Sequence, residues 1–438
     1  MDRIAAFIAN TDWGDLPAEV RNKAILCAMD DFAAILAGRD APVSQITASY
    51  AAVGWPGSEA TIISNGAKAA AMGAAFANAY AANALDIDDC GLYTKGHPGA
   101  QLFPTALAIA EKQGLSGRDL LTSLVIGYEI AHRIGRCWHD YHSLFHGCGS
   151  WGSVACAAVA ARLLELKEDE IKQSLGIAEY HAPLIPMMRD ARSPSMAKHG
   201  IGIGPLNGIL AAELAARGFT APESVFSWDK YRDWVEDIGS EHIMLGGIYW
   251  KEYSCCAWVH PALDAVRKLR EQHGFQVDEI DRIVVKTFHE ATELGVNLPA
   301  TTEEAQFNVA WPIAAFLVDG KVGPRQINER YLSKREIREL AQRVEIAESS
   351  EFTEAYRKSE KMASEVTIFT LSGAKFSAKG NIEYPQTGYD KKKVEQKFLW
   401  LVGRVYGEQK TKELLELVVA LDELSDVRDF MAKAVVTS

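Results

Sequence analysis

The chain has 438 residues and a net charge of −12, with 58 carboxylates against 46 Lys and Arg. This balance excludes general binding to nucleic acid or to an anionic membrane, since both need a basic face, and an anionic ligand must be held by a local cationic pocket against the overall field. Apolar residues at 48% and charged residues at 24% exclude collagen-like, disordered and disulfide-scaffold classes.

Met1 to Trp13 has neither the basic start nor the apolar centre of a secretory signal. The first two-thirds predicts helices. Small apolar residues dominate 69–86 (AAAMGAAFANAYAANALD) and 153–167 (SVACAAVAARLLELK), which predicts helices that approach one another closely. Ala69 to Leu85 is broken by Asn78 and Asn83 and falls short of the roughly 20 apolar residues of a membrane span. Leu120 to Arg136 has helical periodicity, and Leu206 to Arg217 is a helix stopped by Gly218. The texture changes near Gly246. A helix follows at Pro261 to His273, then strands at Ile280 to Phe288, Arg343 to Ile346, Glu365 to Thr370 and Lys375 to Ala378. The last two are joined by Leu371-Ser372-Gly373, a hairpin signal. Helices at Phe307 to Asp319 and Lys334 to Gln342 lie between the strands, and amphipathic helix returns from Lys391 to Val436. The expectation is a mainly α chain: an all-helical domain over 1–248 and 388–438, with a smaller α+β domain over 249–387. Seven cysteines, at 27, 90, 137, 148, 156, 255 and 256, are odd in number and form no CxxC, which predicts reduced thiols in a cytoplasmic protein.

Four groups of residues can carry chemistry. Asp86-Ile-Asp88-Asp89-Cys90 precedes Lys95-Gly96-His97-Pro98-Gly99 at the end of an apolar helix; charges there need a cation, a hydrogen-bond partner or solvent. The plainer reading is helix termination and a turn. His139, His142 and His146 are spaced to share a helix face, so a zinc site is conceivable, although no HExxH pattern is present; the plainer reading is surface histidines beside a functional one. Lys198 and His199 lead into Gly200-Ile-Gly202-Ile-Gly204 and a helix near Pro205. Backbone N–H groups of a Gly-rich helix start attract anions, and close packing of a loop is the competing explanation. Lys251 to His260 (KEYSCCAWVH) gathers a lysine, Cys255, Cys256 and a histidine. A thiol beside Lys or His can be poised for acid–base work, whereas a buried cysteine that fills space needs no such role.

These blocks, in this order, resemble the MmgE/PrpD family, which includes 2-methylcitrate dehydratase, cis-aconitate decarboxylase and iminodisuccinate epimerase. The resemblance runs through ALDIDD and GHPGAQLFPTALAIAE within 84–111, SGRDLLTSLVIGYEIAHRIG (116–135), FHGCGSWGSVACAAVAARLLEL (145–166), GILAAELAARGFTAP (208–222), KEYSCCAWVHPALDA (251–265) and FNVAWPIAAFLVDGKV (307–322). It implies a large helical domain with an inserted α+β lid, a homodimer, an active site between the domains, no metal or organic cofactor, and small di- or tricarboxylate substrates. Carried over position by position, it implies catalytic roles for Asp86, His97, His146, Lys198, Lys251 and Cys256. It places Cys90 and His260 among the candidate substrate contacts, to which the residues themselves add Lys95 and the loop glycines Gly200 and Gly202. Cys90 stands where relatives often have Thr, and Cys256 where the decarboxylases carry a histidine. The shared chemistry is proton handling at a carbon beside a carboxylate, with Lys198, Lys251 and the glycine loop stabilising the developing charge and His97 and His146 as bases. The first expectation is a dehydratase-type lyase. The alternative, suggested by the His-to-Cys change, is an epimerase of a dicarboxylate such as iminodisuccinate.

Overall fold

Small side chains set the geometry of the helical part. The computed structural model describes residues 1–142, 144–386 and 390–435. Helices Ala18–Gly38, Ala71–Asn83, Gly99–Gln113, Gly117–Tyr141, Cys148–Leu163 and Ile203–Ala215 pack on one another. Their surfaces lie so close that a Cβ on Gly38 would sit 2.1 Å from the carbonyl oxygen of Ala81. Gly117–Tyr141 is opened by a capping box, in which Ser116 accepts from the Asp119 N–H and the Asp119 carboxylate accepts from the Ser116 N–H. The helix expected from Leu206 starts three residues earlier, at Ile203.

The end of the chain returns to these helices. Lys391–Val402 packs on Ala18–Gly38, where Lys397 Nζ lies 2.6 Å from Asp30 Oδ1. The rings of Phe398 and of Phe430, from Val427–Ala434, rest on Phe32 at 6.2 and 4.9 Å. The amphipathic helix expected from Lys391 is present as three helices, Lys391–Val402, Glu408–Val419 and Val427–Ala434. The boundary expected at 387/388, and Val436, lie outside the described residues.

Between these parts is one four-stranded mixed sheet in the order Val344–Glu348, Ile280–Thr287, Met362–Thr370, Lys375–Ile382. The first pair is parallel and the others antiparallel. The last two strands extend beyond their expected limits because the ladder continues to the Met362–Ile382 pair. The hairpin turn is present, with Gly373 at φ 85°. Helix His260–Gln272 covers these two strands. Ala310–Asp319 begins three residues after Phe307 because Asn308 Oδ1 accepts the Trp311 N–H at 2.7 Å and fixes the start there. Among the described residues no helix is long and apolar enough to cross a membrane.

Candidate active site

The site forms where helix Ala71–Asn83 ends. Asp86 there takes a left-handed φ of 50°, uncommon for a residue with a side chain. Four residues later the chain makes a very short antiparallel pair, Cys90–Gly91 with Ile248–Tyr249, reinforced by the Leu92 N–H donating to Gly247 O at 2.7 Å. This ladder brings together segments some 160 residues apart in sequence and sets Lys251 Nζ 2.6 Å from Asp86 Oδ1. Both side chains are sealed from solvent.

The three aspartates of the motif face different partners. Asp86 holds Lys251. Asp88 accepts from Asn83 Nδ2 at 3.0 Å and lies 2.9 Å from His97 Nδ1. Asp89 accepts from the Tyr128 hydroxyl at 2.7 Å and from the Gly99 N–H at 3.0 Å, so it fixes the start of helix Gly99–Gln113 just after His97. His97 is thus gripped on both ring nitrogens, with Nε2 3.2 Å from Asp86 Oδ1. Burial works against charging this ring, but Asp88 beside Nδ1 outweighs it, and the His97 pKa is well above the usual histidine value. Asp86 is itself desolvated, yet Lys251, Lys198 and His97 hold it well below the usual carboxylate range. Burial opposes the charge on Lys251 too, and Asp86 more than restores it, raising the ammonium's pKa.

Lys198 follows the opposite course. It is buried, its ammonium donates to the Gln306 side-chain carbonyl, and burial lowers its pKa. Gln306 is held in turn by Ala84 O, which accepts from its Nε2 at 2.9 Å. The next residue, His199, has φ 59° and places its ring 4.8 Å from that of His97.

A cavity opens beside this cluster. Of the residues singled out from the sequence, Asp86, Cys90, Lys95, His97 and Cys256 line it; Lys251 stands behind Asp86, and Lys198, bonded to Gln306, is outside the lining. Burial, with Asp86 adding to it, pushes the Cys256 thiol up to about 12, so it stays protonated near neutral pH. Lys95 pairs with Glu360 at 3.0 Å, and both line the cavity.

Four residues do not meet there. His146 packs against Trp138 and His142, at 5.3 and 5.1 Å between rings, and burial lowers its pKa to about 4. His260 is fixed by Tyr249 OH at 2.9 Å and Cys255 O at 3.2 Å, outside the cavity lining. The glycines answer to packing. A Cβ on Gly202 would lie 2.4 Å from the Tyr80 ring, and one on Gly200 2.3 Å from Ile185 Cδ1. Asp88 and His199 belong to groups marked in the sequence but carry no assigned role there, and Gln306 and Glu360 are not marked at all. For His199 a signal was available, a histidine adjoining Lys198.

His139 uses both ring nitrogens, one near Thr94 O at 3.0 Å and one accepting the His146 N–H at 3.4 Å, so it offers zinc no free nitrogen. Asp86, His97 and His199 offer donor atoms within 4.8 Å of one another, but the Lys251 ammonium already stands against Asp86.

Charges buried around a cavity are the arrangement of a small-molecule site. The chain belongs to the MmgE/PrpD family: the MmgE/PrpD N-terminal domain matches residues 2–231 and the C-terminal domain residues 253–423. It is 25% identical over 467 aligned positions to a cis-aconitate decarboxylase of Aspergillus terreus, covering 97% of this chain and 93% of that protein. It is 24% identical to the cis-aconitate decarboxylase of Homo sapiens, covering 81% and 77% of the two chains. A cis-aconitate decarboxylase-like protein of Aspergillus oryzae is 25% identical, covering 77% of each.

Proposed function

We propose that this protein is a lyase for a small di- or tricarboxylate, of dehydratase type, that moves a proton at or beside the carbon next to a carboxylate. The observation that carries this reading is the pairing of two cations with unlike partners. Lys251 is hydrogen-bonded to the Asp86 carboxylate, whereas the Lys198 ammonium is hydrogen-bonded to an amide oxygen and feels Asp86, Asp88 and Glu303 only as nearby charges. Lys198 therefore keeps a charge to offer to a substrate carboxylate, and that charge gains value as negative charge builds on the carboxylate in an enediolate-like transition state. His97, charged at rest between Asp86 and Asp88, is the proton donor, delivering to a departing hydroxyl or to the carbanion left when a carboxylate is lost. Asp86 and Asp88 orient it. Cys256 is a wall of the pocket in this reading, since a thiol with its pKa near 12 neither accepts nor supplies protons readily.

The proposal includes the segment 249–387 as a lid, supported by the reach of Cys256 and Glu360 into a cavity whose floor is Asp86 and His97. It also includes a homodimer, supported by Ile46, Tyr50 and Val53, which lie on one face of Pro42–Gly54 at 56, 58 and 80% exposure.

Incubation with cis-aconitate, hydroxylated di- and tricarboxylates and iminodisuccinate in D₂O, followed by NMR, tests the reading. An olefin formed with loss of water establishes dehydration, and loss of a carboxylate establishes decarboxylation. Solvent exchange or inversion alone moves the protein to the epimerase alternative, and an inert panel overturns the enzyme reading.

A further inference from the structure

His97 supplies a proton, but a dehydration also needs a group that takes one. Among the described residues lining the cavity, most polar groups are committed. Asp86 holds a lysine, Lys95 and Glu360 hold each other, and Cys256 keeps its proton. His199 differs. Its ring is buried, lines the cavity, and carries an Nε2 with no hydrogen-bond partner. The opposite nitrogen, Nδ1, lies 3.2 Å from Met187 Sδ and 3.7 Å from Asp190 Oδ2. A proton on Nδ1 is favoured by that carboxylate, and this tautomer leaves the Nε2 lone pair free. The backbone is arranged for the purpose. The residue keeps its left-handed φ of 59° while its N–H donates to Asp190 Oδ2 at 2.6 Å, and local strain of this kind gathers at functional sites.

We propose that His199 is a second catalytic residue, whose Nε2 removes the proton from the carbon beside the bound carboxylate while His97 protonates the group that leaves. The inference rests on the lyase reading above. For a β-hydroxy carboxylate the C–H electron pair becomes the new C=C bond, the C–O bond breaks, and the hydroxyl leaves as water with the His97 proton. His199 ends charged and His97 neutral, and proton return between rings 4.8 Å apart, directly or through the released water, resets the pair. The surroundings favour this division. Burial, with His97 and Lys198 adding to it, pushes the His199 pKa well below the usual value against the pull of Asp86, while His97 is pushed the other way. Neighbouring titratable groups driven apart in this manner take opposite acid and base roles.

The test uses the full chain and the substrate found in the D₂O panel. Asn tolerates a left-handed φ, so His199→Asn keeps the turn, and thermal melting checks that the variant is folded. The expected result is a kcat loss of roughly 10²–10⁴, KM within about threefold, and disappearance of the acidic limb of the kcat/KM profile. His97→Asn removes the alkaline limb instead. Asp190→Asn leaves the His199 ring in place and moves the acidic limb to lower pH, because a carboxylate that favours the charged ring is gone. A folded His199→Asn that keeps the acidic limb and a kcat within about threefold overturns the inference, as does an unmoved limb in Asp190→Asn. If the wild-type chain itself turns over nothing in the panel, the lyase reading fails, and the two failures are distinct.

Discussion

Replacing Lys251 by Met removes one member of the most deeply buried ion pair at the site. The Lys251 and Asp86 side chains are 0 and 1% exposed, with 2.6 Å between Nζ and Oδ1. Removing one partner from such a pair leaves an uncompensated charge and costs about 3–5 kcal/mol. Asp86 keeps His97 at 3.2 Å, so the lower end, about 3 kcal/mol, is expected. That is a large part of the 5–15 kcal/mol or so by which proteins are stable. Urea unfolding followed by circular dichroism at neutral pH measures it. Asp86→Asn added to Lys251→Met supplies the control, because a neutral amide no longer demands the cation. The double variant should regain about 1–2 kcal/mol relative to Lys251→Met alone, a coupling expected for groups in contact. A cost under about 1 kcal/mol for Lys251→Met, or strict additivity in the double variant, would refute the claim that this pair is the structural anchor of the site.

Lys198→Met should raise KM for the carboxylate substrate at least tenfold, about 1.4 kcal/mol, without lowering Tm, because it removes an ammonium that burial already disfavours; calorimetry beside initial rates reads both. Gly202→Ala should cost about 1–3 kcal/mol of stability through overpacking against Tyr80, with kcat and KM little changed in whatever folds; a normal Tm with weakened substrate binding would restore the glycine loop as an anion site. The His97 pKa is raised in the folded state, so its stabilisation is complete below the unfolded value of about 6.5 and is lost as pH rises through the folded one. The stability gap between wild type and His97→Asn should therefore narrow from pH 6 towards alkaline pH, and urea midpoints across that range would show whether it widens instead.

What the sequence made legible was local. Apolar periodicity marks Gly117–Tyr141 and the strand Ile280–Thr287, and the Asp86 to Gly99 block marks itself by putting charges at the end of an apolar helix. What it concealed was long-range. The pair Cys90–Gly91 with Ile248–Tyr249 is two residues long on each side, too short to impose an alternation, yet it sets Lys251 against Asp86. Gln306, the partner of Lys198, lies 108 residues from it with no pattern to join the two. The glycines of 200–204 suit an anion loop, and their close approach to Tyr80 and Ile185 is a second demand on the same positions that no sequence pattern announces. His146 and His199 were equally plausible as bases by residue type. Both have ring nitrogens without a hydrogen-bond partner, and only placement separates them: His146 packs against Trp138, whereas His199 lines the cavity.

The central claim is that His97, charged between two aspartates, gives a proton to a small carboxylate substrate. The most direct measurement is NMR in D₂O of wild type and His97→Asn on the substrate that the panel identifies, with far-UV circular dichroism establishing that both are folded. The account predicts turnover by wild type and a fall of at least about 100-fold in the folded variant. Turnover by His97→Asn within a few-fold of wild type would contradict it.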